Sequence, residues 1–309
     1  MWRQALKTQQ KMLPNPEPQT LRKPFKRVNA NVQKNLALSP MTSMARLYPL
    51  LPVKNVFLIW QLSKRDVLGK YKGSVLGVGW TLVYPLLLLA IYTVVFRVIF
   101  KTKWPGAEDS PVLFALNIFA GLVMFNFFSE VVGRAPRLVT EQPNLVKRVI
   151  FPLESLVWVN ILSALFHAAL GLTVLILGTL LAPGVLGITA LAAPLVMLSL
   201  IPTLLCLGLI LACVGVYLRD LAQIMGPLLS MLLFLTPVLF PASALPKEVQ
   251  SWLYLNPLTL PIEALRQCLL LRQWPDFGPL ALQALVSWLL AAGSYWVFVR
   301  LQRGFADQL

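Results

Sequence analysis

Between Glu154 and Arg219 lie sixty-four consecutive residues without one Asp, Glu, Lys or Arg. About a quarter of a soluble domain is charged, so a run of this length belongs in lipid. A crossing helix needs about 20 mainly apolar residues, which makes the run too long for one span. Ala182, Pro183 and Gly184 near its middle read as a turn. They divide it into a hairpin of spans at about 151–181 and 187–217. The same criterion places further spans at about 77–99, 111–132, 221–240 and 277–299, with Arg97 able to snorkel at the far end of the first. The expected fold is all-α and integral to the membrane, with six transmembrane helices and both termini on one side. Composition agrees, since 57% of the 309 residues are hydrophobic and 13% are charged. The stretch 241–276 is apolar in pieces, amphipathic and rich in proline. No piece of it is long enough to cross, and short re-entrant or periplasmic helices before the last span fit it better.

A net charge of +15 in a soluble protein would suggest nucleic acid, so its placement matters. Residues 1–76 carry fourteen Lys and Arg against Glu17 and Asp66, leaving only +3 for the remainder. No stacking aromatics are interleaved with these cations, which argues against nucleic-acid binding. Residues 1–45 combine five prolines with Gln, Asn and Lys and lack apolar periodicity. They read as a disordered basic cytosolic tail without the apolar core of a signal peptide. Residues 46–76 read as an interfacial amphipathic segment. With the tail inside, cytosolic segments hold twenty-one Lys and Arg and external ones six, so the positive-inside rule puts both termini in the cytosol.

Residues able to do chemistry are few. His167, the single histidine, has no Cys, Asp or Glu at helical spacing to share a metal, and reads as a packing residue. Cys206 and Cys213 sit two turns apart on one span, roughly 10 Å, too far for a bridge. Cys268 stands alone, and all three read as free thiols. Gly69-Lys70 is followed by Tyr71, and Lys64 stands where a nucleotide-binding loop needs its first glycine. Any ATPase must therefore be another chain or domain. Secondary transport normally needs ionisable groups deep in the membrane, whereas Glu130, Glu154 and Asp220 fall at expected span ends. The missing catalytic carboxylates also argue against a membrane-bound enzyme of glycan assembly. Gly69, Gly73 and Gly77 recur every four residues and on a helix would form one smooth face for close backbone approach. Trp and Tyr favour both membrane surfaces, and a subset facing a lumen could stack on sugar rings.

Four ordered blocks carry a family resemblance: RDVLGKYKGSVLGVGWTLVYPLLLLAIYTVVF from Arg65, NLVKRVIFPLE from Asn144, VYLRDL from Val216 and LNPLTLPIEALRQ from Leu255. Together they resemble ABC-2-type permeases that export polysaccharides and polyol phosphates, over about residues 50–305. The closest likeness is to the permeases of O-antigen lipopolysaccharide ABC transporters. Teichoic acid export permeases share the pattern, capsule permeases do so more loosely, and a small-lipid or drug exporter of the same fold is the more distant alternative. The basic tail has no counterpart in that pattern.

The resemblance implies a homodimer working in the bacterial inner membrane with two copies of a cytosolic ATPase. ATP and Mg would be bound by that partner, with no cofactor or metal in this chain. The substrate would be an undecaprenyl-diphosphate-linked polysaccharide moving from the inner to the outer leaflet. Asn55–Asp66, with Lys64 and Asp66, would lie along the inner interface against the ATPase. Arg137–Arg148, with Glu141, Asn144 and Lys147, would form the main coupling helix, and Arg219 with Asp220 the second. Lys70, Lys72, Arg134 and Arg148 would meet the anionic lipid head group. Tyr84, Phe125, Phe128, Trp158 and Phe234 would line the glycan path, with Trp252 and Tyr254 at its outer gate.

Overall fold

The computed structural model describes residues 55–74, 76–95, 104, 110–146, 151–180 and 186–308. The expected tail, the turn at 182–184 and Arg97 lie outside them. The described residues form helices and turns, with no strand among them. In chain order the α-helices are α1 (Val56–Tyr71), α2 (Trp80–Thr93), α3 (Pro111–Arg134), α4 (Pro143–Val146), α5 (Ser155–Thr179) and α6 (Ala193–Leu198). They continue with α7 (Ile201–Tyr217), α8 (Leu221–Leu235), α9 (Lys247–Leu253), α10 (Thr259–Leu269), α11 (Phe277–Leu301) and α12 (Phe305–Gln308).

Among the described residues, four helical stretches are long and apolar enough to cross a membrane: Pro111–Arg137, Ser155–Thr179, Ile188–Tyr217 and Phe277–Gly304. These match four of the six expected spans. Of the other two, the span expected over 77–99 runs beyond the described residues, and the one over 221–240 is shorter than expected. The described part of α2 has 14 residues and α8 has 15, about 22 Å of helix against a hydrocarbon core of about 30 Å. The span expected over 221–240 stops at Leu235 because Thr236 precedes Pro237. A residue before proline is pushed out of the helical region, and Thr236 adopts extended φ −109° and ψ 144°.

The centre of the fold is α3. Ser110 caps it, with Leu113 N–H donating to Ser110 Oγ at 3.3 Å, and Pro111 fits its first turn. Phe114, Ile118, Met124, Phe127 and Val131 are buried along it, and α2, α5, α7, α8 and α10 all pack against it. Small residues set the spacing of its neighbours, as expected where lipid gives no hydrophobic drive between helices. A Cβ on Gly208 of α7 would come within 2.7 Å of Val157 Cγ1 on α5. On α11, Ser287, Ala291 and Ser294 face α7, where Thr203 and Ser287 hydroxyls bond at 2.9 Å and Cys206 Sγ meets Ser294 Oγ at 3.2 Å. All three cysteines are buried and free.

The glycines after α1 act differently from the smooth helical face expected of them. The helix ends at Tyr71, and Gly73 and Gly77 take φ of +84° and +51°, a region that disfavours side chains. Among the described residues, nothing lies within 4 Å of a Cβ built on Gly69, Gly73 or Gly77. Gly73 and Gly77 turn the chain between α1 and α2.

The stretch before α11 forms short helices, none long enough to cross. Arg266 of α10 fastens it, although only 2% of that residue is exposed. Its Nε donates to Asn117 O of α3 at 3.0 Å, its Nη2 to Val238 O at 2.9 Å and its Nη1 to Glu263 at 3.0 Å. The guanidinium also lies 4.5 Å from the centre of the Trp104 ring. Gly121 makes room for this, since a Cβ there would stand 2.9 Å from Val238 Cα and 3.0 Å from Arg266 Nη2. Arg266→Met strips donors from two buried carbonyls, and a loss of about 3 kcal/mol of stability is expected by chemical denaturation in detergent. Gly121→Ala is expected to cost about 1–3 kcal/mol in the same assay.

Candidate functional site

Helix α1 runs alongside the first half of α5 in the same direction: Ser63 Oγ reaches Val159 O at 3.5 Å, and eight residues on Tyr71 reaches His167. This register brings the end of α1 to the middle of α5, where α3 contributes Glu130. Lys70 Nζ donates to Glu130 Oε1 at 2.6 Å. His167 Nδ1 lies 2.8 and 2.9 Å from the two Glu130 oxygens and donates to them. His167 Nε2 is hydrogen-bonded to the Tyr71 hydroxyl at 2.8 Å. Thr81 Oγ1 of α2 is hydrogen-bonded to the same hydroxyl at 2.9 Å. One hydrogen-bonded chain therefore joins α1, α2, α3 and α5. His167, expected to be a hydrogen-bonded packing residue, is the junction of this chain, and its acid arrives from another helix 37 positions away in sequence.

Beside this network is a half-open cavity of about 250 Å³ between α2, α3 and α5. Trp80, Phe119, Val123 and Phe127 form its apolar wall, and Asn126, Glu130 and His167 its polar end. On α3, residues 119, 123, 126, 127 and 130 share one helical face. Gly171 lets α5 come close, with Val123 Cγ2 3.2 Å from where a Cβ would be. Among the described residues, no group of three His, Cys, Asp or Glu could hold a metal ion.

A second ionic cluster adjoins the first. Arg134 Nη1 donates to Asp66 Oδ2 at 2.8 Å, Arg134 Nε lies 3.8 Å from Glu141, and Lys70 lies 3.9 Å from Asp66. Burial works against ionisation of Asp66. The Arg134 hydrogen bond and the charges of Arg134 and Lys70 outweigh it and hold the carboxyl below its ordinary 3.8. Two cations expected to greet a lipid head group, Lys70 and Arg134, are thus brought together but already face three carboxylates. Lys72 is exposed just past α1.

The residues expected at the coupling loops converge. Glu141 and Arg219 line one shallow groove of about 500 Å³, floored by Pro136 and Gly215. A Cβ on Gly215 would fall 2.1 Å from Pro136 O, so α7 and the turn after α3 touch backbone to backbone. Arg137 Nη2 donates to Ala222 O at 3.4 Å, and Arg219 Nη2 to Gln308 O at 3.2 Å. Lys64, Asn144 and Asp220 are exposed. Lys147, Arg148 and the Tyr84 side chain lie outside the described residues. Of the expected glycan-facing aromatics, Phe125, Phe128 and Trp158 pack in the core of the chain, while Phe234, Trp252 and Tyr254 are exposed.

With this arrangement in view, comparison with known proteins identifies the class. The ABC-2 type transporter family profile matches residues 57–270, and the chain belongs to that family. Among its relatives is the O-antigen export system permease protein RfbA of Myxococcus xanthus, 29% identical over 262 residues, covering 82% of this chain and 95% of the relative. An O-antigen export system permease protein RfbA of Klebsiella pneumoniae is 19% identical over 80% of this chain and 93% of its own length. The polysialic acid transport protein KpsM of Escherichia coli is 26% identical over 67% of this chain and 77% of its own.

The Asp66–Arg134 pair has a definite pH signature. A carboxyl depressed in the fold adds stability that is complete above its unfolded value and is lost as pH falls through the folded one. Asp66→Asn is therefore expected to lower the melting temperature at pH 7. The gap to the unaltered protein should close as pH falls below about 4, as read by thermal unfolding in detergent at stepped pH.

Proposed function

We propose that this chain is the membrane permease subunit of an ABC exporter that carries a lipid-linked polysaccharide, O-antigen foremost, from the cytosolic to the outer leaflet. The observation that carries the reading is end-to-end similarity to an O-antigen export permease, which leaves no large part of that relative uncovered. Capsular polysaccharide is the second reading, supported by the similarity to the polysialic acid transport protein.

In this reading the chain crosses the bacterial inner membrane six times, with α2 and α8 extended or tilted to complete two spans and both termini in the cytosol. It works as a homodimer with two copies of an ATPase that supplies ATP and Mg. Lys64 and Asp66 on α1, Glu141, Asn144 and Lys147 in the loop after α3, and Arg219 with Asp220 before α8 form the ATPase-facing surface. The groove shared by Glu141 and Arg219 supports this, since it presents two loops distant in sequence as one docking feature. Movement of α1 reaches the spans through Lys70 and Glu130, whose contact is 2.6 Å long. Lys72 and Arg148 remain to attract the diphosphate, helped by Lys70 and Arg134 when their carboxylate partners shift. Exposed Phe234, Trp252 and Tyr254 offer aromatic surface to the glycan, and Tyr84 belongs with them.

The test is reconstitution of the permease and its ATPase in proteoliposomes with lipid-linked polysaccharide on the outer face. ATP-dependent passage of glycan to the enclosed side is expected. Glu141→Arg and Arg219→Glu should each lower glycan-stimulated ATP hydrolysis several-fold without changing the melting temperature. ATP hydrolysis without glycan movement, in a complex that is folded and intact, would contradict the reading.

A further inference from the structure

The cavity between α2, α3 and α5 has a purpose that coupling does not explain. A hydrogen-bonded latch needs no empty space beside it, yet about 250 Å³ is left there, half open. Polar side chains in an apolar bundle are expensive and tend to mark a substrate path. Here Asn126 and Glu130 stand one turn apart on the same face of α3, both lining the cavity. The Asn126 carbonyl accepts from Ser129 Oγ at 3.2 Å, whereas its side-chain amide has no partner among the described residues.

We infer that this cavity is a subsite for one sugar ring, read by Asn126 and Glu130 and stacked by Trp80. The inference rests on the exporter reading and specifies where a single residue of the glycan is recognised. Three features select this ligand class. Volume is the first: about 250 Å³ is just under the range for drug-sized ligands and suits a ligand the size of one pyranose. Charge is the second. Lys70 already balances Glu130 at 2.6 Å, so neither an ammonium nor a phosphate is called for, and a neutral polyhydroxyl ligand fits. Lining is the third. An aromatic wall of Trp80, Phe119 and Phe127 suits the C–H face of a pyranose, while an acyl chain would leave Asn126 and Glu130 facing hydrocarbon.

The network described above makes Glu130 a prepared acceptor. A carboxylate has about four acceptor positions. Lys70 and His167 both bond to Oε1, and His167 alone also reaches Oε2, leaving Oε2 room for a hydroxyl. Held by donors from α1 and α5, the carboxylate needs no reordering to receive a ligand, and the ordering cost of binding is lowered accordingly. Asn126 supplies both a donor and an acceptor beside it, the set that two neighbouring ring hydroxyls require. Trp80, half exposed, forms part of the cavity wall.

The experiment is saturation-transfer NMR on the full chain in lipid nanodiscs with free glucose, galactose, mannose or N-acetylglucosamine as probe. Saturation of the ring protons of at least one sugar is expected. Asn126→Ala and Trp80→Ala should each weaken it about tenfold, the scale of one lost hydrogen bond or stacking contact. Trp80→Phe should retain it, as should Leu289→Ala on the exposed face of α11 outside the cavity, with melting temperatures reporting that all four variants fold. No saturation with any of the four sugars, or saturation unaffected by Asn126→Ala and Trp80→Ala, overturns the inference. So does displacement of the sugar by octanoate whose own binding survives Asn126→Ala, because the cavity then takes an acyl chain. Sugar binding without glycan passage by the reconstituted complex counts against the exporter reading alone. Glycan passage without sugar binding counts against the subsite alone.

Discussion

A carboxylate among apolar helices must be paired or be neutralised, and Glu130 is paired twice. Its partners are Lys70 on α1 and His167 on α5, so satisfying one charge fixes three helices against one another. Tyr71 extends the constraint to α2 through Thr81. The register of α1 along α5, the turn at Gly73 and Gly77, and the cavity beside Trp80 all follow from where this charge has to be met.

The same logic operates at the other end of α3. Arg266 carries donors into a buried position and meets the carbonyls of Asn117 and Val238. Asn117 and Glu130 are about 20 Å apart along α3 at 1.5 Å per residue. A central helix clamped by polar groups near both ends, with small residues at its contacts, is a stiff element for others to move against. In a transporter of this family, displacement of α1 at one end can then be passed on as motion of whole helices rather than absorbed by loose packing.

Much of the fold was legible because length and charge in lipid are strict constraints. The uncharged run after Glu154 yielded two long helical stretches, Ser155–Thr179 and Ile188–Tyr217, and the proline-rich stretch yielded short ones, as the sequence implied. The end of α8 at Leu235 was written in Thr236-Pro237 but was hidden by the apolar residues that follow. The glycine spacing misled because period four fits a helix, whereas positive φ at Gly73 and Gly77 depends on the turn geometry. The polar network was missed since its members lie 60, 37 and 96 residues apart, and spacing along one helix cannot show it. The available signal was simpler: a lone His and a lone Glu in neighbouring apolar spans each need a partner. Phe125 and Phe128 could not be told from lumen-facing aromatics, because α3 is buried nearly all round and has no polar face to orient it.

The family assignment and the structure meet at α1, the helix expected to face the ATPase and the one whose last turn is tied to the spans. The direct test of that tie is a double-mutant cycle on Glu130→Gln and His167→Phe, with unfolding free energies measured in detergent. A coupling energy of about 1 kcal/mol or more is predicted, because each residue satisfies the other. Losses that simply add, to within about 0.5 kcal/mol, would contradict the account.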